Sequence, residues 1–127
     1  GTDREALRRA QEVLERGQLL VIFPEGTRNH GPVVGPLEEG AMFLAARAGV
    51  PVVPVGIAGS EDSMPKGRRI PKRLRIWVVV GEALAPPAGG EGGRVPRSQV
   101  RAGTEELCRG IQSAFDQACA GFERGAG

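Results

Sequence analysis

The chain reads as one α/β domain, a sheet covered by helices, because short apolar runs alternate with amphipathic segments in the order helix, strand, helix, strand, strand, helix. Three runs carry the sheet: Gln18 to Phe23, Pro51 to Ala58 and Leu74 to Val80, each almost wholly apolar and too short for a helix that must bury itself. Between and around them, apolar residues recur at helical spacing, and glycines or prolines close each segment. At 127 residues, with 40% hydrophobic and 25% charged side chains, the composition is that of a globular domain and excludes wholesale disorder or a fibrous repeat. A domain of this size buries somewhat under roughly 70% of the surface its unfolded chain exposes, enough for a real core.

The first helix opens at Thr2-Asp3-Arg4-Glu5, which fits a capping box, and continues through Leu7, Ala10, Val13 and Leu14 until Gly17 stops it. Gln18 to Phe23 follows as a strand suited to cover on both faces, as in a parallel sheet, and Pro24 ends it. A Gly- and Pro-rich loop runs to Pro36. Leu37 to Ala48 is a second helix, anchored by Leu37, Ala41, Phe43, Leu44 and Ala48 and closed by Gly49. Pro51 to Ala58 is the second strand, with Pro51 and Pro54 shaping its start or edge because neither can donate to a ladder. Leu74 to Val80 is the third, and Trp77 inside it reads as core. Residues 85–96 are loop; 97–127 form a helical tail whose apolar side is Val100, Leu107, Ile111, Phe115, Ala118 and Phe122, with Gly103 and Gly110 as expected breaks. Residues 1–127 are thus one domain. Because no strand precedes the first helix and three strands make a thin sheet, the domain is expected to be incomplete at its N-terminus.

Cys108 and Cys119 lie eleven residues apart. On a helix that separation is about 16 Å along the axis, which rules out a disulfide between them. Unpaired thiols fit a reducing cytoplasm and read as small packing residues; two Cys and one His cannot assemble a zinc-type site, so no metal is expected. No apolar run reaches the roughly 20 residues of a membrane-spanning helix, so membrane contact is expected to be peripheral.

Phe23-Pro24-Glu25-Gly26-Thr27-Arg28 falls at the carboxyl end of the first expected strand, where open α/β sheets bind ligands. Arg28 offers a planar fork of donors for a phosphate or carboxylate, Thr27 a hydroxyl, and Gly26 room for close backbone approach. Glu25 orients Arg28 or accepts a bond from a substrate hydroxyl. The reading is an anion-binding turn; the alternative is that Glu25 and Arg28 only form a salt bridge that ties the loop down.

These residues resemble the acceptor-binding block of the glycerolipid acyltransferases, of the lysophosphatidic acid acyltransferase (1-acyl-glycerol-3-phosphate acyltransferase) type. Val50-Pro51-Val52-Val53-Pro54-Val55-Gly56-Ile57-Ala58-Gly59 resembles that family's later proline-containing block, and Gly81-Glu82-Ala83-Leu84 its Gly-Glu-Pro-Leu type of ending. The resemblance covers about residues 1–84, the C-terminal part of the family's domain. It implies a glycerol-phosphate acyltransferase-like fold and an enzyme of phospholipid biosynthesis, moving an acyl group from acyl-coenzyme A or acyl carrier protein to a lysophospholipid hydroxyl. The conversion is lysophosphatidate to phosphatidate. Glu25, Gly26, Thr27 and Arg28 would then hold the acceptor phosphate, with Phe23, Pro24 and Pro54 as motif support. No bound cofactor is implied, the acyl donor being a substrate.

Family members use a His, oriented by an Asp five positions later, as general base, in a block that precedes the phosphate motif. Here the only His is His30, and five positions on stands Gly35, so the dyad is absent from the sequence and the chain alone is expected to be inactive. Glu25 lies five residues before His30, a reversed carboxylate and His pair on paper, but a His in a Gly/Pro loop reads first as a solvated turn residue. Where members often carry a basic residue this chain has Leu37-Glu38-Glu39-Gly40, which bears on acceptor identity.

The net charge of +2 hides a cluster, Lys66, Arg68, Arg69, Lys72, Arg73 and Arg75. It is suited either to anionic head groups at the cytoplasmic face of a membrane, where each basic residue is worth about 1 kcal/mol, or to coenzyme A phosphates, or simply to solvent. With no nucleic-acid-binding motif present, nucleic acid is not an expected partner. The rival to the enzyme reading is a non-catalytic module that binds anionic lipid through the same turn and basic rim; a third reading is a poorly folding remnant.

Overall fold

A computed structural model describes residues 4–25, 31–60, 75–88 and 94–125. Its elements are α1 (Arg4–Glu15), α2 (Gly40–Ala48), β1 (Val55–Ala58), β2 (Trp77–Val80) and α3 (Arg97–Gly125). The capping box at Thr2 and Asp3, and Leu74 at the start of the third expected strand, lie outside the described residues.

The helix α1 is amphipathic as its spacing requires, with i,i+4 pairs Arg8–Glu12 and Arg9–Glu5 on its wet side. Its apolar side lies on α2, where Leu7 approaches Gly40. The second helix begins at Gly40 rather than Leu37. Pro36 precedes it and the Glu38 N–H is taken by the Pro24 carbonyl at 2.8 Å, so residues 37–39 meet other partners before the helix starts. Leu37 still packs on the core. Gly49 closes α2 in the left-handed region (φ 67°), its N–H returned to the Ala45 carbonyl, as a glycine just past a helix should be.

The sheet differs most from expectation. Residues 18–23 form no strand among the described residues: Leu19 is 85% exposed and Phe23 77%, and no ladder bonds are made along the run. A strand exists only beside a partner, and this segment, fixed at one end by Gln18 N–H to the Val13 carbonyl and at the other by Pro24, runs along no sheet edge among the described residues. The sheet that is present is antiparallel, with Val55 opposite Val80, Gly56 opposite Val79, Ile57 opposite Val78 and Ala58 opposite Trp77.

Pairing extends past β1 and β2 by a bridge between Val52 and Leu84, closed by reciprocal bonds of 2.9 and 2.7 Å. Two residues, Val53 and Pro54, then face three, Gly81 to Ala83, so the second strand carries a bulge. Pro54 has no N–H to give there, but its carbonyl accepts from Gly81 at 2.8 Å. The extra residue restores Leu84 to the core side, where it packs with Val52.

The helix α3 runs unbroken for 29 residues across one face of the sheet. Gly103 and Gly110, expected as breaks, are instead positions of close packing: a Cβ at Gly103 would meet Met42 and Pro87, and one at Gly110 would meet Pro54. With Ala114, Ala118 and Gly121 they form a seam of small residues at spacings of seven, four, four and three, all on one helix face and low enough for the sheet to approach the helix backbone. The main core is Met42, Val100 and Leu107, closed by Leu37, Phe43, Val52 and Leu84. Trp77 is not fully core; it is 39% exposed, one edge lying on Gly121 and Gly125. The other sheet face, Val55, Ile57, Val78 and Val80, is open. A helix on one face of a small sheet whose other face is open is what a part of an α/β domain presents.

Candidate functional site

The motif leaves α1 through residues 18–23 and is described as far as Glu25. Phe23 is exposed and Pro24 half-buried, its carbonyl bonded to Glu38. Glu25 is half-buried, and its Oε2 accepts the Gly35 N–H at 3.0 Å. Gly26, Thr27, Arg28 and His30 lie outside the described residues, as do Lys66, Arg68, Arg69, Lys72 and Arg73. What the structure defines is the frame of the motif: the chain at Pro24–Glu25 and the returning segment 31–38 are tied at two points, Glu38 to Pro24 and Gly35 to Glu25. A carboxylate gripped by a backbone N–H is held in one direction, which suits it to orient a neighbouring cation or accept a hydroxyl.

A third tie comes from α3. Gln112 accepts the Val34 N–H through Oε1 at 2.7 Å and donates through Nε2 to the Pro32 carbonyl at 2.9 Å. Sequence reasoning missed this residue. It sits beside the apolar stripe of a helix that reads as packing, and no spacing rule distinguishes a loop-holding amide from a solvated one.

Pro54 lies elsewhere. It is buried in the seam between β1, the bulge and α3, its Cγ 3.1 Å from where a Cβ would stand on either Gly81 or Gly110. Its visible role is structural, and that of Gly56 is the same. Arg75, at the edge of the basic cluster, stacks over Phe122 with its guanidinium carbon 5.6 Å from the ring centroid and donates to the Gly125 carbonyl, fastening the end of α3. Cys108 and Cys119 are half-buried on α3, and neither is in a disulfide. Among the described residues no helix is long and apolar enough to cross a membrane.

Residues 1–58 match the family model described as Acyltransferase. The chain is 41% identical over 63 residues to a chloroplastic 1-acyl-sn-glycerol-3-phosphate acyltransferase of Brassica napus, covering 50% of this chain and 18% of that protein. It is 35% identical over 86 residues to 1-acyl-sn-glycerol-3-phosphate acyltransferase alpha of Mus musculus, covering 65% of this chain and 28% of that protein. Among solved structures, the 1-acyl-sn-glycerophosphate acyltransferase PlsC of Thermotoga maritima superposes with a TM-score of 0.63 at 32% identity, over 85% of this chain and 43% of that one. The chain therefore spans less than a third of these curated relatives' length and under half of the solved chain. Sequence and fold agree with the motif: residues 1–58 are similar to the acyltransferase family, and the relatives and the solved structure that the chain resembles are 1-acylglycerol-3-phosphate acyltransferases.

Proposed function

We propose that this chain is the acceptor-binding part of an enzyme that acylates lysophosphatidate to phosphatidate. The observation that carries the reading is the block Phe23 to Arg28, which lies inside the family match, is followed by the Val50 to Gly59 block, and has its Glu25 held by the loop that returns to α2. Arg28 binds the acceptor phosphate through its guanidinium fork, Thr27 adds a hydroxyl, and Gly26 lets the backbone come close. Glu25 orients Arg28 or accepts from the acceptor. Such an arrangement places the lysophosphatidate hydroxyl but does not activate it.

In the complete reaction the hydroxyl oxygen attacks the thioester carbonyl of acyl-coenzyme A or acyl carrier protein, its proton passes to a general base, and the thiol leaves. The base is a His with an Asp five positions on, a pair this sequence does not contain, and general-base catalysis of that kind is worth about 10²–10⁴ in rate. This chain alone is accordingly inactive. Its work is done at the cytoplasmic face of a membrane, held peripherally, with Lys66 to Arg73 toward anionic head groups or the donor's phosphates.

The test is an acyl transfer assay with acyl-coenzyme A and lysophosphatidate, on this chain and on the same chain joined to its upstream coding sequence. Turnover only in the joined form, lowered about 100-fold in kcat/KM by Arg28→Ala as expected for a lost charged hydrogen bond, supports the reading. Turnover by the chain alone would show that the dyad is dispensable and make His30 the first residue to replace. Vesicle flotation that depends on Arg28, with no turnover in the joined form, would favour a non-catalytic lipid-binding module instead.

A further inference from the structure

Gln112 lies far beyond the 58 residues of the family match, in a tail whose sequence is unspecific, yet its side chain reaches back 78 positions to the loop that follows the motif. The orientation of its amide is fixed by chemistry. Asp116 Oδ1, 2.9 Å away, is a carboxylate oxygen and Pro32 O a carbonyl, so both require the NH₂ group; Val34 N–H then requires the oxygen, and receives it at 2.7 Å. The amide thus satisfies one acceptor and one donor of the loop while Asp116 prevents it from turning. The next backbone N–H, that of Gly35, is the one that holds Glu25.

Two consecutive amides are therefore gripped from two sides, Val34 by α3 and Gly35 by the motif's own carboxylate. Since adjacent peptide planes share a Cα, release of Val34 frees the plane that directs the Gly35 N–H. We infer that Gln112 is a positioning residue for the acceptor site, fixing residues 32–35 and through them the direction of the Glu25 carboxylate. The inference rests on the reading of the Phe23 to Arg28 block as that site.

The test uses the full chain and lysophosphatidate itself as ligand, titrated calorimetrically, with deuterium exchange at Val34 and Gly35 as a second readout. Gln112→Met keeps length and helix propensity while removing both loop bonds. The expected result is lysophosphatidate binding weaker by about ten-fold and faster exchange at these two amides. Gln117→Met, exposed on the same helix and bonded to Ser113 at 3.3 Å, should change neither.

Thr104→Val, buried on α3 and away from the loop, reports a general loss of helix stability. Should it weaken binding as much as Gln112→Met, or should Gln112→Met bind like the unaltered chain, the inference is overturned. The two readings separate cleanly: full affinity in Arg28→Ala with loss in Gln112→Met removes the phosphate assignment and leaves the positioning role, and the opposite pattern removes the positioning role alone. An unaltered chain that binds no lysophosphatidate removes both.

Discussion

Among the described glycines, Gly56 is the one whose added Cβ would run most deeply into main-chain atoms. A Cβ built there would fall well inside 3.0 Å of the Ala114 and Phe115 backbone, a distance that real Cβ atoms essentially never show. The obstructing atoms belong to the main chain of a 29-residue helix, so no rotamer change relieves the collision. Relief requires α3 to retreat by about 1 Å, and a gap of that size forfeits a quarter to a half of each dispersion contact along the seam. Overpacking typically costs about 1–3 kcal/mol, and this site belongs at the upper end. Replacing glycine also stiffens the unfolded chain, which returns about 0.4–1 kcal/mol, so the collision wins. Gly56→Ala should lose about 2 kcal/mol or more, a factor of roughly 30 in the folded to unfolded ratio. Gly121→Ala is the contrast, since the atom there would strike the Trp77 ring, a side chain that is partly exposed and able to turn; its loss should be smaller. Urea unfolding followed by the fluorescence of Trp77, the single tryptophan and one that lies against α3, reads both variants. Equal stability of Gly56→Ala and the parent, or a larger loss in Gly121→Ala, would refute the reasoning.

Two further variants test the packing account. Met42, 1% exposed at the centre of the α2 and α3 contact, should cost about 2–5 kcal/mol on replacement by Ala, read from the same urea midpoints. Glu39 pairs with Arg97 at 3.9 Å and Arg101 at 3.8 Å across solvent-exposed side chains, so Glu39→Gln should cost no more than about 1 kcal/mol, and the difference should shrink as salt is raised.

The helices were legible because their apolar stripes repeat at the period of the structure that buries them. Leu7, Val13 and their neighbours predict α1, and Val100, Leu107 and Ala118 predict α3. The glycines of α3 misled for a physical reason. Propensity counts Gly103 and Gly110 as costs of about 1 kcal/mol each, but the cost is offset when Met42, Pro87 and Pro54 fill the space a side chain would take. Strand pairing was less legible. Val52, Pro54, Gly56 and Ala58 alternate toward α3, as a half-covered strand should, whereas Gln18 to Phe23 carries a strand's composition and finds no partner among the described residues. Composition states what a segment can do; the ladder depends on what runs beside it.

The bulge shows how far a linear motif can carry structural meaning without announcing it. Gly81-Glu82-Ala83-Leu84 is recognisable as a family-like ending, yet its evident physical work is to insert one residue opposite Val53 and Pro54, so that Leu84 turns inward. The proposed acceptor site divides in the same manner. Glu25 is visible in the sequence because it stands inside a contiguous block, and the structure adds that its carboxylate is held by Gly35. Gln112 is invisible there because nothing local distinguishes it; its meaning lies in which backbone atoms arrive 2.7 and 2.9 Å away after the chain has folded. On the proposed reading the block supplies the groups that meet a phosphate, while Gln112 of α3, through residues 32–35, directs one of them. For that reason, replacing Gln112 alone, with Phe23 to Arg28 and the packed face of α3 intact, should impair acceptor binding in a calorimetric titration with lysophosphatidate.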